Sequence, residues 1–243
     1  MLSTVLNWEW TRVRAGLRRD VPLWLIVAAP AALLLPLDAA AFFESWLQAA
    51  GVFGWLYAFL LASRFGGDAG LLHESSVWLF QKGHSLVDYS LARLATAAAA
   101  SLLAVLYAAA WYAIAAALHA HYAPRQHFAW LLTVSAVTIV SLTILFFVGA
   151  AGSRRSTDFL IVIALLSMLQ DLLTTSVPPA AATLIAAVLP PFKAAHQFAS
   201  ALSIGGYADA MLAALHVLAF CGVCVAVGGW LQSRWRPRLI SSA

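Results

Sequence analysis

Six stretches of this chain run for 17 to 25 residues with scarcely a charge: 22–41, 47–63, 94–118, 129–151, 159–177 and 210–232. About 20 apolar residues wound as an α-helix cross the ~30 Å hydrocarbon layer of a bilayer. The pattern predicts an all-α integral membrane protein with six transmembrane helices. A closed outer-membrane barrel is excluded, because its strands alternate polar and apolar side chains, whereas these runs are continuous and rich in Ala and Leu. A soluble domain is excluded by charge supply. Only 10% of the residues are charged and 63% are hydrophobic, against roughly a quarter charged in a soluble domain, so a soluble globule would expose large apolar patches.

Basic residues fix the expected orientation. With a cytoplasmic N-terminus, Arg12, Arg14, Arg18, Arg19, Arg64, Lys82, Arg93, Arg154, Arg155, Arg234, Arg236 and Arg238 all fall inside, and Arg125 and Lys193 fall outside. Positive charge concentrates on the cytoplasmic side of membrane proteins. The expectation is a multi-pass protein of the plasma (inner) membrane with both termini cytoplasmic. The same distribution argues against a nucleic-acid partner despite a net charge of +4: the arginines flank apolar spans and form no continuous basic face. The first 20 residues are too long and too charged to read as a signal peptide.

Three segments lie outside the spans. Residues 1–20 place Leu6, Trp10, Val13 and Leu17 at helical spacing among four arginines, the pattern of an amphipathic helix lying in the membrane interface. Residues 64–93 form the longest polar stretch. Gly66, Gly67 and Gly70 end the second span; Leu71, Leu72, Ser75, Trp78 and Leu79 then recur at helical spacing, and Ser85 or Asp88 can cap the third span. Residues 178–208 are bracketed by Pro178-Pro179 and Pro190-Pro191. The ten residues Ala180 to Leu189 between these pairs reach about 15 Å as a helix, too short to cross. They predict an outer re-entrant or interfacial helical hairpin between helices 5 and 6. No repeat or linker divides the chain, so 1–243 reads as a single transmembrane domain.

In the 64–93 loop, Leu79-Phe80-Gln81-Lys82-Gly83-His84-Ser85 is followed eight residues on by Arg93. With the layout just described, this resembles the ABC-2 type permease family, the membrane subunits of type V ABC exporters. In that family a Leu-Leu-x-x-Pro-x-Ser run precedes a basic residue at the same distance; Gly83 stands here where the family has proline. The resemblance implies that 68–84 is a coupling helix seated on a separate cytoplasmic ABC ATPase dimer, with Leu72, His73, Glu74, Trp78, Leu79, Lys82 and Gly83 as the contact residues. It also implies a second permease subunit, identical or related. The chain has no Walker A glycine-rich loop, so no cofactor is expected in it, and ATP and Mg belong to the partner ATPase.

Other residues invite a chemical reading. Asp171 is an acid within an apolar run; it either lines a polar cavity or meets a neighbouring subunit, or else sits at the outer interface beside Gln170 and Thr174. His119, His121 and His127 flank the second outer loop, but no cysteine or carboxylate accompanies them, so no metal site is expected. Cys221 and Cys224 read as small apolar residues of the last span, His216 as a helix-packing residue, and the tryptophans as an interfacial belt. Pro30 and Pro36 should kink or loosen the first span, and Arg154, Arg155 and Asp158 form the second cytoplasmic loop. An intramembrane enzyme would need paired catalytic groups, and no Ser/His pair, Asp/Asp pair or His-Glu-x-x-His stands in the runs. A non-catalytic transporter subunit is the expectation; an intramembrane enzyme or a non-transporting scaffold are the alternatives.

Overall fold

The computed structural model describes residues 2–66, 85–119, 122–151, 156–169 and 175–240. Their regular elements are all helical: α1 (Leu2–Arg19), α2 (Val21–Leu34), α3 (Ala39–Gly66), α4 (Leu86–Leu118), α5 (Pro124–Ala150), α6 (Ser156–Met168), α7 (Pro179–Val188), α8 (Phe192–Ile204) and α9 (Tyr207–Ile240). Among the described residues three helices are long and apolar enough to cross a membrane: α4, α5 and α9. Their apolar stretches need a non-aqueous surrounding, so the chain is a membrane-embedded helical protein.

α5 is the hub. It packs against α3, α4, α6, α8 and α9, and 67% of its most apolar stretch is buried within the chain, against 11% for α9. A central helix bearing Thr133, Thr138, Ser141 and Thr143 would strand four hydroxyls in apolar surroundings. Each instead donates to the carbonyl one turn back, at 2.7–2.9 Å, so the polarity is contained in the helix itself. Small residues let the neighbours approach. Ala97, Ala100, Ala104, Ala108 and Ala115 form the buried stripe of α4, as expected where close van der Waals contact drives helix association. At Gly54 of α3 an added Cβ would lie 3.0 Å from Val134 and 3.1 Å from the Trp130 indole.

Helix contacts define two ends. Gly66 of α3 and Gly228 of α9 meet the C-terminal half of α5 through Leu142 and Phe146, so α3, α5 and α9 run the same way. α2 and α4 run opposite: the start of α2 lies beside Arg64 and Arg93, while His119, just after α4, donates from Nε2 to the Leu35 carbonyl at 2.9 Å. Arg125, at the start of α5, lies at the second end, beside the junction of α8 and α9. That junction is a tight stop. Gly205 takes φ +83°, and the Gly206 and Gly205 amides bond back to the Ala201 and Leu202 carbonyls, a Schellman closure that a side chain would strain.

Residues 178–208 form two short helices, α7 and α8, that start at the expected proline pairs; α8 packs on α5 and α9 rather than on α7. The start of α8 is pinned: Phe192 is fully buried, with its ring 5.4 Å from Trp55 and 5.5 Å from Phe59 of α3. The first two spans differ from expectation. The run 22–41 does not form one helix: α2 ends at Leu34, and α3 begins at Ala39 and continues for 28 residues. Pro36 supplies no backbone donor, and Asp38 accepts the Ala41 amide at 2.7 Å, capping a new helix. The run 159–177 is helical from 156 to 168.

Pro30 does not end α2, which passes through it. A proline cannot donate to the carbonyl four residues back, so the Ile26 carbonyl is left without its helical partner. Tyr57 of α3 donates its hydroxyl to that carbonyl at 2.8 Å, closing the gap and tying α2 to α3. Tyr57→Phe should cost about 1–3 kcal/mol of stability, the range for orphaning a buried acceptor. In a Pro30→Ala background, where residue 30 regains its N–H, the same change should cost under about 1 kcal/mol. Thermal unfolding of the four proteins in detergent reads this cycle; equal costs in both backgrounds would refute the assignment.

Candidate functional site

The chemistry-bearing residues of the described chain gather at the end of the bundle where α1, α2, α3 and α4 meet. The junction is Asp20, the residue between α1 and α2. Its Oδ1 accepts the Leu23 amide at 3.3 Å, capping α2, and its Oδ2 accepts from Arg64 Nε at 2.7 Å and Nη2 at 2.5 Å. One carboxylate thus starts a helix and ties it to the last turn of α3. Trp24 adds a second tie, its indole N–H donating to the Leu17 carbonyl at 2.9 Å.

α1 docks on α4 through Val5, which packs with Tyr89 and Ala92, and its C-terminal end enters the main core through Leu17. The buried line is Val5, Glu9 and Leu17, while Leu6, Trp10 and Val13 are half-buried. The buried face is therefore rotated from the stripe that hydrophobicity alone selects. Glu9 is fully buried; its Oε2 accepts two bonds from Arg12, at 3.0 and 3.1 Å, and its Oε1 has no partner. Arg93, two turns into α4, is also buried; its Nη1 donates to the Tyr89 hydroxyl at 3.3 Å, and its Nε has no partner.

These groups enclose an open cleft of about 490 Å³, lined by Arg12, Arg19, Arg64 and Arg93, by Asp20, and by the apolar surfaces of Val13, Leu17 and Phe65. A larger, almost wholly apolar groove of about 650 Å³ lies between α2 and α3, along Pro30, Leu33, Phe53 and Leu56. The cleft can attract and orient an anion. The groove offers apolar contact without polar groups to orient a ligand.

Leu72, His73, Glu74, Trp78, Leu79, Lys82, Gly83 and Asp171 lie outside the described residues, as do His121, Arg154 and Arg155. The histidines at the other end are held apart: His119 bonds the Leu35 carbonyl, and His127 sits between the rings of Tyr122 and Trp130, at 6.0 and 5.9 Å. Among the described residues no three His, Cys, Asp or Glu groups gather as metal ligands do. Cys221 and Cys224 are half-buried free thiols on α9. Reading the sequence missed Glu9 as a buried group and Arg93 as more than an orientation signal. The available clue was spacing, since Val5, Glu9, Val13 and Leu17 recur every four residues. Comparisons with family models, curated proteins and solved structures find no match for this chain.

Asp20 offers a direct test of the junction. Arg64 is largely exposed, and exposed pairs contribute little, so Arg64→Ala should cost less than about 1 kcal/mol. Asp20→Ala also removes the cap and should cost about 1–2 kcal/mol, whereas Asp20→Asn, which retains the cap, should match Arg64→Ala. Melting temperatures in detergent distinguish the three; an Asp20→Asn loss as large as that of Asp20→Ala would show that the ion pair, rather than the cap, dominates.

Proposed function

We propose that the chain is the transmembrane subunit of an ATP-driven transporter of the ABC-2 type, acting as an exporter, with ATP hydrolysed by a separate cytoplasmic ATPase dimer. In this reading six segments cross the bilayer: α2 together with the turn that follows it, α3, α4, α5, the segment that begins with α6, and α9. The α7–α8 hairpin dips in from the outer side, α1 lies along the cytoplasmic interface, and both termini are cytoplasmic. The alternating directions of α2 to α5 and the grouping of Arg12, Arg19, Arg64 and Arg93 at one end support it. The deep anchorage of Phe192 supports a re-entrant hairpin, since broken backbone is tolerated at membrane depth only where protein covers it.

The observation that carries the reading is mechanical. The segment 68–84, proposed as the coupling helix, is carried by the last turn of α3 and the first turn of α4, and both helices pack on each other and on α5. A push on that segment would reach α5 through α3 and α4, which both pack on it. The partner's ATP-driven closure would thereby bias the bundle between inward- and outward-open states. The permease itself contributes no bond-making step, and a second copy or a related subunit would complete the path.

Co-expression with its cognate cytoplasmic ABC ATPase should yield a stable complex. Glu74→Ala and Trp78→Ala should lower the ATPase stimulation by this chain at least about tenfold, the equivalent of about 1.4 kcal/mol in coupling, with unchanged membrane insertion. Full stimulation by both variants, or no association with the ATPase, would contradict the proposal.

A further inference from the structure

We infer that the arginine-lined cleft is a seat for the phosphate group of an anionic phospholipid. Four arginines line it, Arg12, Arg19, Arg64 and Arg93, against the single acid Asp20. The Asp20 carboxylate is engaged with Arg64 and with the start of α2. Glu9, on the same helix as Arg12, is engaged with Arg12, which leaves Arg19 and Arg93 without an acid among the described residues. The lining therefore carries positive charge that its own acids do not balance.

The decisive group is Arg93. It is 4% exposed, yet it lines the cleft, its Nε has no hydrogen-bond partner, and among the described residues no carboxylate pairs with it. A buried, unpaired charge is strongly unfavourable, and a guanidinium in that position lacks an anion. Phosphate fits the donor set, because arginine presents planar paired N–H groups that match its oxygens.

The rest of the lining argues that the phosphate arrives on a lipid. Val13, Leu17 and Phe65 border the same cleft, at the end of a membrane-embedded bundle. A phosphodiester that carries acyl chains and a net negative charge satisfies both surfaces, whereas inorganic phosphate would engage the arginines alone and a zwitterionic lipid would bring its own cation to the site. Occupancy would tie α1 to the ends of α2, α3 and α4 and set how firmly these helices are joined. This inference needs the membrane and the cleft but not the ATPase, so it stands or falls apart from the transport reading.

The test is lipid-dependent stabilisation of the purified full chain in detergent. Thermal unfolding is followed while phosphatidylglycerol, phosphatidylcholine or inorganic phosphate is titrated. Phosphatidylglycerol should raise Tm, and the other two should not. Arg93→Gln and Arg19→Gln should each weaken the apparent phosphatidylglycerol affinity on the order of tenfold. Arg14→Gln, which removes the same charge from α1 outside the cleft, should leave it unchanged. Arg19 is exposed, so Arg19→Gln carries the test if Arg93→Gln does not fold. Equal losses in Arg14→Gln and Arg19→Gln, or parental affinity in the cleft variants, would overturn the site. Stabilisation by inorganic phosphate matching that by phosphatidylglycerol would overturn the lipid as its source.

Discussion

Inside hydrocarbon an unpaired backbone N–H or C=O costs several kcal/mol, and the architecture answers to that constraint around the breaks that bound α2. Pro30 strips the Ile26 carbonyl of its partner and Tyr57 supplies one from the next helix. α2 then stops before Pro36, and His119 reaches the Leu35 carbonyl from the end of α4. Asp38 caps the start of α3, and Asp20 caps the start of α2. Three of these repairs, through Tyr57, His119 and Asp20 with its Arg64 pair, also join two elements. Satisfying the backbone and assembling the bundle are thus one process.

The result is a bundle with one well-tied end. α5 contains its own hydroxyl groups and packs five neighbours, while α9 leaves most of its apolar surface outward, along Met211, Leu215, Leu218 and Val223. At the tied end, Asp20, Arg64 and Trp24 couple α1, α2 and α3, and Val5 couples α1 to α4. Gly66 and Ser85, the described residues that flank the segment read as a coupling helix, belong to this same end. A transporter of the proposed kind needs stiffness there, since displacement of a short segment moves a membrane helix only if little is lost in between.

Much of this was legible in the residues. Continuous apolar runs announced the long helices, and the paired prolines bracketed α7 to within a residue or two, because proline acts locally on backbone donors. The break between α2 and α3 was misplaced: hydropathy does not register that Asp38 caps a helix, so 22–41 read as one span. The buried pair of polar groups, Glu9 and Arg93, was not legible as such. Each looks like an ordinary interfacial or orientation-setting charge until α1 is docked on α4 with Val5 rather than Leu6 inward. Tyr57 was missed for the same reason, since its value depends on a proline 27 positions away. Long-range partners of this kind are set by packing, and periodicity carries no record of them.

The central claim is that the arginine-rich end faces the cytoplasm and the Arg125 end faces outward. Single cysteines placed in a background free of Cys221 and Cys224 test it most directly, using a membrane-impermeant maleimide on intact cells. Tyr122→Cys and Tyr207→Cys should label from outside, whereas Thr11→Cys and Ser233→Cys should label only after permeabilisation. Labelling of position 11 or 233 in intact cells, or protection of both 122 and 207, would contradict the account.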